Sequence, residues 1–238
     1  TNVDGKCHFT CKTAISSLRP TVISYAQISI EGNIGSGKTT FLEYFQRECG
    51  SKVQTFREPV HKWLNLSGHN LLDLMYKEPK RWSFAFQQYV QLTMFQMHKE
   101  ASEFSDDKCC VKMIERSLLS ARYCFVENLY ENELLHDVEY KIIDEWFKEL
   151  MKDKCTKLDY IIYLRTSPEV CYQRVKQRFR REEETLTMEY LKNLHQLHEK
   201  WLLSDEMNIP VITINGDHSI AEMQESYDKC SQIMFKAN

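Results

Sequence analysis

The sequence predicts an α/β fold: a five-stranded, mainly parallel sheet flanked by helices. Three observations carry this. Five short apolar runs alternate with longer helical patterns from residue 27 onward. Residues of the AVILMFWYC set make up 42% of 238, enough for one packed core, while 7 Gly and 5 Pro leave no room for low-complexity or linker-rich architecture. A glycine-rich turn joins the first apolar run to the first helical pattern.

The expected strands are Gln27–Glu31, Lys52–Arg57, Cys110–Glu115, Asp159–Arg165 and Pro210–Asn215. The expected helices begin with Lys38–Glu48. Pro79–His98 follows, amphipathic through Trp82, Phe86, Tyr89, Val90, Phe95 and Met97, and then Ser117–Tyr130 and Val138–Lys152. Pro168–Arg181 starts on a proline suited to a first helical turn, with Ser167 as its N-cap, and Met188–Leu203 and Ile220–Phe235 complete the series. Strands alternating with helices imply parallel pairing and right-handed crossovers. No internal repeat or boundary interrupts residues 27–238, which read as one domain. Residues 1–26 read as a leader: Lys6, Lys12 and Arg19 against Asp4, with frequent Ser and Thr, suit a mitochondrial targeting remnant or a flexible tail.

Charge excludes some partners. With 31 basic and 34 acidic residues, a net charge of −3 and a pI of 6.2, there is no electrostatic case for nucleic acid. No apolar run approaches the roughly 18 residues of a membrane span. The nine cysteines are odd in number and form no CxxC pair, which favours a reduced intracellular compartment, with mitochondrion and cytosol both open.

The segment Gly32-Asn33-Ile34-Gly35-Ser36-Gly37-Lys38-Thr39 fits G-x-x-x-x-G-K-[ST] and sits between a strand and a helix, the context a phosphate-binding loop requires. Backbone N–H groups would cradle a polyphosphate, Lys38 would reach its β- and γ-phosphates, and the Thr39 hydroxyl would ligate Mg²⁺. The sheet is thus expected to be of the P-loop NTPase type. Such a loop names a phosphoryl donor without naming the reaction. Thr156-Lys157-Leu158-Asp159 matches the guanine-reading string of switch GTPases but precedes its apolar run, and reads as coincidence. The acceptor side says more. The second strand ends in Arg57-Glu58-Pro59, where a carboxylate could take a hydroxyl proton during in-line transfer. The third ends in Glu115-Arg116-Ser117, whose acid could hold Mg²⁺ and whose guanidinium could stabilise developing charge. Arg174, Arg178, Arg180 and Arg181, followed by three glutamates, are expected to form a phosphate-clamping lid over about residues 174–184. His195, His198 and Glu199 lack a distant third ligand and are set aside as a metal site, and Trp82, Tyr89, Cys109 and Cys110 read as packing.

Together these residues resemble the animal deoxyribonucleoside kinases, most closely the branch of the insect multisubstrate and mitochondrial thymidine enzymes. The likeness runs from about Ile28 to Asp217. It is carried by the loop from Ile30 through Thr40, by Glu58-Pro59-Val60 with Lys62-Trp63, and by Leu74-Met75-Tyr76. Phe86-Gln87-Gln88-Tyr89-Val90, Glu115-Arg116-Ser117 with Ser120-Ala121-Arg122-Tyr123, Tyr163 through Glu169, and Tyr190 through Leu202 carry the rest. The resemblance implies ATP and Mg²⁺, with phosphorylation of a deoxynucleoside 5′-hydroxyl. Glu58 would be the base, Arg116 would touch that hydroxyl, and Glu115 would serve the metal. Gln87 would read the base, Tyr76 and Glu183 would hold the 3′-hydroxyl, and Arg178 and Arg180 would form the lid. Trp63, Met75, Phe86, Val90, Met94 and Phe125 would wall the base. Met94 and Ala121 stand where relatives preferring deoxycytidine or purines carry a charged pair, so pyrimidines including thymidine are expected. The apolar stripes of the helices at 79–98 and 138–152 suggest a homodimer built as a helix bundle. A nucleoside monophosphate kinase and a non-catalytic nucleotide-binding regulator are the alternatives.

Overall fold

The computed structural model describes residues 26–178, 180–205 and 207–218, together with 222, 223, 227, 228 and 230. The expected leader, apart from Ala26, and most of the expected helix at 220–235 lie outside them. The strands are β1 (Ala26–Glu31), β2 (Val53–Phe56), β3 (Val111–Glu115), β4 (Tyr160–Arg165) and β5 (Val211–Asn215), in the order β2-β3-β1-β4-β5, with every pair parallel. β1 is central, so the loop after it opens at the middle of the sheet's C-terminal edge, where ligands of open α/β sheets bind.

Both faces of the sheet are covered. On one, Ile28, Ile30, Met113, Ile162 and Leu164 pack with Phe41, Leu42 and Phe45 of α1 (Lys38–Cys49). On the other, Phe56, Ile114, Ile161 and Tyr163 pack against α4 (Pro79–Glu103) and α9 (Met188–Leu202). The alternate residues of β1, Gln27, Ser29 and Glu31, are polar yet buried. Asp159 accepts from Gln27 N at 2.9 Å, at the sheet edge opposite the glycine-rich loop, so Thr156–Asp159 serves strand pairing.

The insertion between β2 and β3 holds α2 (Val60–Leu64) and α3 (Leu71–Lys77) before α4, which continues past His98 because Ala101 stays buried on the same face. The expected helix over 117–130 is corrected. Ser117 is its extended N-cap, α5 (Leu118–Ser120) is a single turn, Ala121–Val126 widens into a π-helix, and α6 (Glu127–Glu131) follows. An inserted residue of this kind leaves apolar spacing almost unchanged, so periodicity does not reveal it. Two more helices are α7 (Asp137–Leu150) and α8 (Pro168–Arg178). α8 stops before the expected Arg181. Glu183 draws Arg178 and Arg180 onto one carboxylate, and Arg180 leaves helical geometry.

Candidate active site

One cleft at the C-terminal edge of the sheet gathers residues from seven segments. Its floor is the turn after β1. Gly35 has φ +81, and a Cβ there would lie 2.6 Å from the Cys171 carbonyl; at Gly32, φ +144, it would lie 2.6 Å from the Leu164 carbonyl. Only glycine fits both positions. Lys38 Nζ donates to the carbonyls of Asn33 at 2.7 Å and Gly32 at 3.1 Å. Burial, and then the nearby Arg116 charge, lower the Lys38 ammonium to about 8. Ile34, Gly35, Lys38 and Thr39 face the cleft. Asn33 and Ser36 are buried within the loop, Gly37 caps α1, and Thr40 is exposed in the first turn.

The two strand-end acids converge beside this loop. Glu115 Oε1 accepts from the Thr39 hydroxyl at 2.8 Å. Glu58 Oε1 lies 3.2 Å from Arg116 Nε, in contact but poorly aligned, so Arg116 Nε and Nη1 have no hydrogen-bond partner among the described residues. Arg116 is 3% exposed and its guanidinium stands 4.7 Å over the Phe125 ring. Burial raises the Glu58 carboxyl above the usual carboxylate range, Glu115 adds to this, and Arg116 and Lys38 oppose it.

Away from the loop the cleft turns apolar. Trp63 packs edge-on against Phe86, 5.6 Å between centroids, and its indole N–H donates to Thr93. Met75, Val90, Met94, Ala121 and Phe125 line the remaining wall. Gln87 is buried there, and its Oε1 has no hydrogen-bond partner among the described residues. Its amide is thus held among apolar walls with an acceptor ready for a planar polar group. Tyr76 shares a side-chain hydrogen bond with Tyr190, and burial lifts its hydroxyl well above the ordinary tyrosine value, with Tyr190, Glu183 and Glu58 adding to the rise.

The arginine cluster divides. Arg178 and Arg180 line the cleft and both pair with Glu183, through Arg178 Nε at 2.7 Å and Arg180 Nη1 at 3.0 Å. Asn70 ties this turn to the start of α3 through Glu182 at 2.9 Å. Arg174 instead bonds the carbonyls of Gly216 and His218, and Arg181 is exposed outside the cleft lining, so the expected four-arginine clamp reduces to two. Cys109 is buried, but Cys110 is half-exposed ahead of β3. His198 is buried with Nδ1 on the Leu194 carbonyl, and no metal-ligand cluster occurs among the described residues. Sequence reasoning missed Arg57, Val60, Leu72, Ser117, Ser120, Leu129 and Tyr190 as cleft residues. Leu72 and Leu129 look like any core position. Tyr190 had no signal beyond its place in a matching string.

The sequence is similar to known proteins. A family model described as deoxynucleoside kinase matches residues 28–236. Human mitochondrial thymidine kinase 2 is 44% identical over 205 residues, covering 85% of this chain and 75% of that protein. Bovine and human deoxycytidine kinases are each 34% identical over 227 residues, covering 84% of this chain and 87% of theirs.

Proposed function

The chain belongs to the deoxynucleoside kinase family, and from that premise we propose that it transfers the γ-phosphate of ATP to the 5′-hydroxyl of pyrimidine deoxynucleosides, thymidine and deoxycytidine foremost. The observation that carries this reading is the Glu58–Arg116 pair between two unlike ends. One end is the glycine-rich loop with Lys38, and the other is an apolar slot with the unpaired Gln87 acceptor.

In this reading Gln87 pairs with the pyrimidine edge. Trp63, Met75, Phe86, Val90, Met94, Ala121 and Phe125 enclose the ring, and Tyr76 with Glu183 holds the 3′-hydroxyl. The 5′-oxygen then lies between Glu58 and the γ-phosphorus. Glu58 accepts the hydroxyl proton as the new P–O bond forms and the bond to the β,γ-bridging oxygen breaks, releasing ADP. Arg116, Lys38, Arg178 and Arg180 neutralise charge gathering on the phosphoryl oxygens. The loop from Gly32 to Thr40 holds the donor phosphates through its N–H groups. The Thr39 hydroxyl and the Glu115 carboxylate, 2.8 Å apart, offer the hard oxygen donors that Mg²⁺ takes from a protein when it keeps waters and phosphate oxygens as its other ligands. Bound there, Mg²⁺ would neutralise phosphate charge.

Met94 and Ala121 supply no charged partner for an exocyclic amine and leave space for a thymine methyl, which supports thymidine acceptance. The direct test is product analysis with Mg-ATP and each of four deoxynucleosides. Thymidine 5′-monophosphate and deoxycytidine 5′-monophosphate are expected. No product from any of them, or phosphorylation of thymidylate instead of thymidine, rejects the proposal.

A homodimer accompanies this reading. Val138 and Trp146 on α7 are 62% and 55% exposed, one turn either side of the exposed Ile142, and form an apolar stripe on a helix packed against α4. Light scattering should give twice the chain mass, and Trp146→Glu should shift it to monomer. The mitochondrial relative and the basic, Ser-rich leader favour mitochondrion over cytosol; imaging of the tagged chain in cells tests this.

A further inference from the structure

The mechanism leaves one buried carboxyl unused. Glu31 ends β1 immediately before the glycine-rich loop and is 0% exposed. Its Oε1 accepts from the hydroxyls of Ser29 and of Ser117, the latter at 2.6 Å. Its Oε2 is buried with no hydrogen-bond partner among the described residues. A buried carboxyl oxygen left so is costly unless a positive charge lies near. Burial raises the Glu31 carboxyl above its ordinary value, and the serine hydroxyls and the Arg116 charge oppose that rise; Arg116 Nε and Nη1 have no hydrogen-bond partner among the described residues, with Nε in ion-pair contact with Glu58 at 3.2 Å.

The backbone between them is strained. Arg116 sits at φ +64, the left-handed region that a side-chain-bearing residue adopts only when its surroundings impose it. Two bonds from the end of β1 do so. The Arg116 N–H donates to the Ile30 carbonyl at 3.0 Å, and the next residue, Ser117, is tied to Glu31. Ser117 is held on its other side by Ser120, whose hydroxyl accepts from Ser117 N–H at 3.3 Å and donates to the Ser117 carbonyl at 3.1 Å. The turn that points Arg116 into the cleft is therefore pinned to the strand that carries the phosphate loop.

We propose that Glu31 is a positioning residue: through Ser117 and the Arg116 charge it holds Arg116 in its left-handed turn, registering the 5′-hydroxyl side of the cleft against the phosphate loop. For its catalytic consequence this rests on the function proposed above. Glu31→Gln keeps the shape and an acceptor for the serine hydroxyls, but replaces the free oxygen with an amide N–H group and removes the carboxylate on which the Arg116 field acts. Ser117→Ala leaves the carboxyl and removes the tie.

Each substitution is made in the native chain and in Arg116→Ala, and turnover is measured with Mg-ATP and thymidine. Glu31→Gln should lower kcat about 10-fold, as misplacement of a catalytic group does, with the KM for ATP within about twofold. Ser117→Ala should give a smaller loss of the same kind. In Arg116→Ala neither should add a further loss, since residues acting as a unit are not additive. An equal loss in both backgrounds, or native kcat in both single variants, overturns the proposal. If Glu31→Gln does not fold, Ser117→Ala carries the test alone. A crystal structure of the folded variant decides the point independently of substrate. Arg116 leaving φ near +64, or its guanidinium leaving the cleft, supports the role, and an unmoved Arg116 overturns it. A native protein that phosphorylates no deoxynucleoside would sink the proposed function and leave that structural readout standing.

Discussion

The two ends of the cleft are built on different principles. In the proposed function the donor end is one contiguous turn whose backbone would supply the recognition, with side chains excluded at Gly32 and Gly35. In the proposed function the acceptor end is assembled from side chains on β2's exit, α2, α3, α4, the π-helix and the turn after α8, and recognition would lie in an apolar box where Gln87 is the one unpaired amide among the described cleft-lining residues. A backbone cradle binds any polyphosphate. A box of side chains discriminates among bases, because a missing hydrogen bond there leaves a buried group unpaired.

The largest effect should come where the two ends meet. Glu58→Gln keeps the shape but cannot take the 5′ proton, and kcat should fall at least about 100-fold with little change in either KM. Near-native turnover would remove Glu58 from the chemistry. The native enzyme should also lose kcat/KM toward acid. The Glu58 carboxyl is raised by burial, and its base form disappears as pH falls through that raised value, so the acid limb should sit above the ordinary carboxylate range. Glu58→Gln should lack that limb.

The next pair sets one end against the other. Gln87→Leu removes the amide that stands alone among the described residues lining the apolar walls and should raise the KM for thymidine about 10-fold, the size of one unsatisfied buried contact, with the KM for ATP unchanged. Gly35→Ala forces a Cβ to 2.6 Å from the Cys171 carbonyl at φ +81 and should do the reverse, raising the KM for ATP about 10-fold. Both variants affecting both constants equally would mean that the ends are not separable.

How much of this was legible follows from the same contrast. All five strands lie within two residues of their expected positions, because both faces of each are covered and apolar runs mark them. The donor loop was readable because its eight residues are consecutive and lie between a strand and a helix. Glu58 and Glu115 were readable as strand ends. Gln87, Tyr76 and Phe125 were not: on helical spacing alone they are indistinguishable from packing positions, and only likeness to a family marked them. Arg174 was misread because charge density cannot tell a side chain aimed at a cleft from one satisfying carbonyls behind it. Glu31 was passed over because its meaning depends on Ser117, 86 positions away.

The smallest expected effect lies in the scaffold. His98 accepts from Leu118 N–H through Nε2 at 3.4 Å, and its Nδ1 lies 3.4 Å from the Gln27 amide nitrogen. Burial lowers His98 to about 4 and His198 to about 3. The unfolded chain binds more protons below about pH 6.5, so stability is full above that pH and is lost as pH falls toward those values. Melting temperature should drop from about pH 7 to about pH 5, and His98→Gln should flatten the slope. An unchanged slope would mean that other groups set it.

The most direct measurement is a crystal structure with thymidine bound. Its 5′-oxygen should lie within hydrogen-bond distance of both Glu58 and Arg116, with its base edge on Gln87 and its sugar beside Tyr76. A nucleoside seated with the 5′-oxygen turned away from Glu58, or bound outside this cleft, would contradict the account.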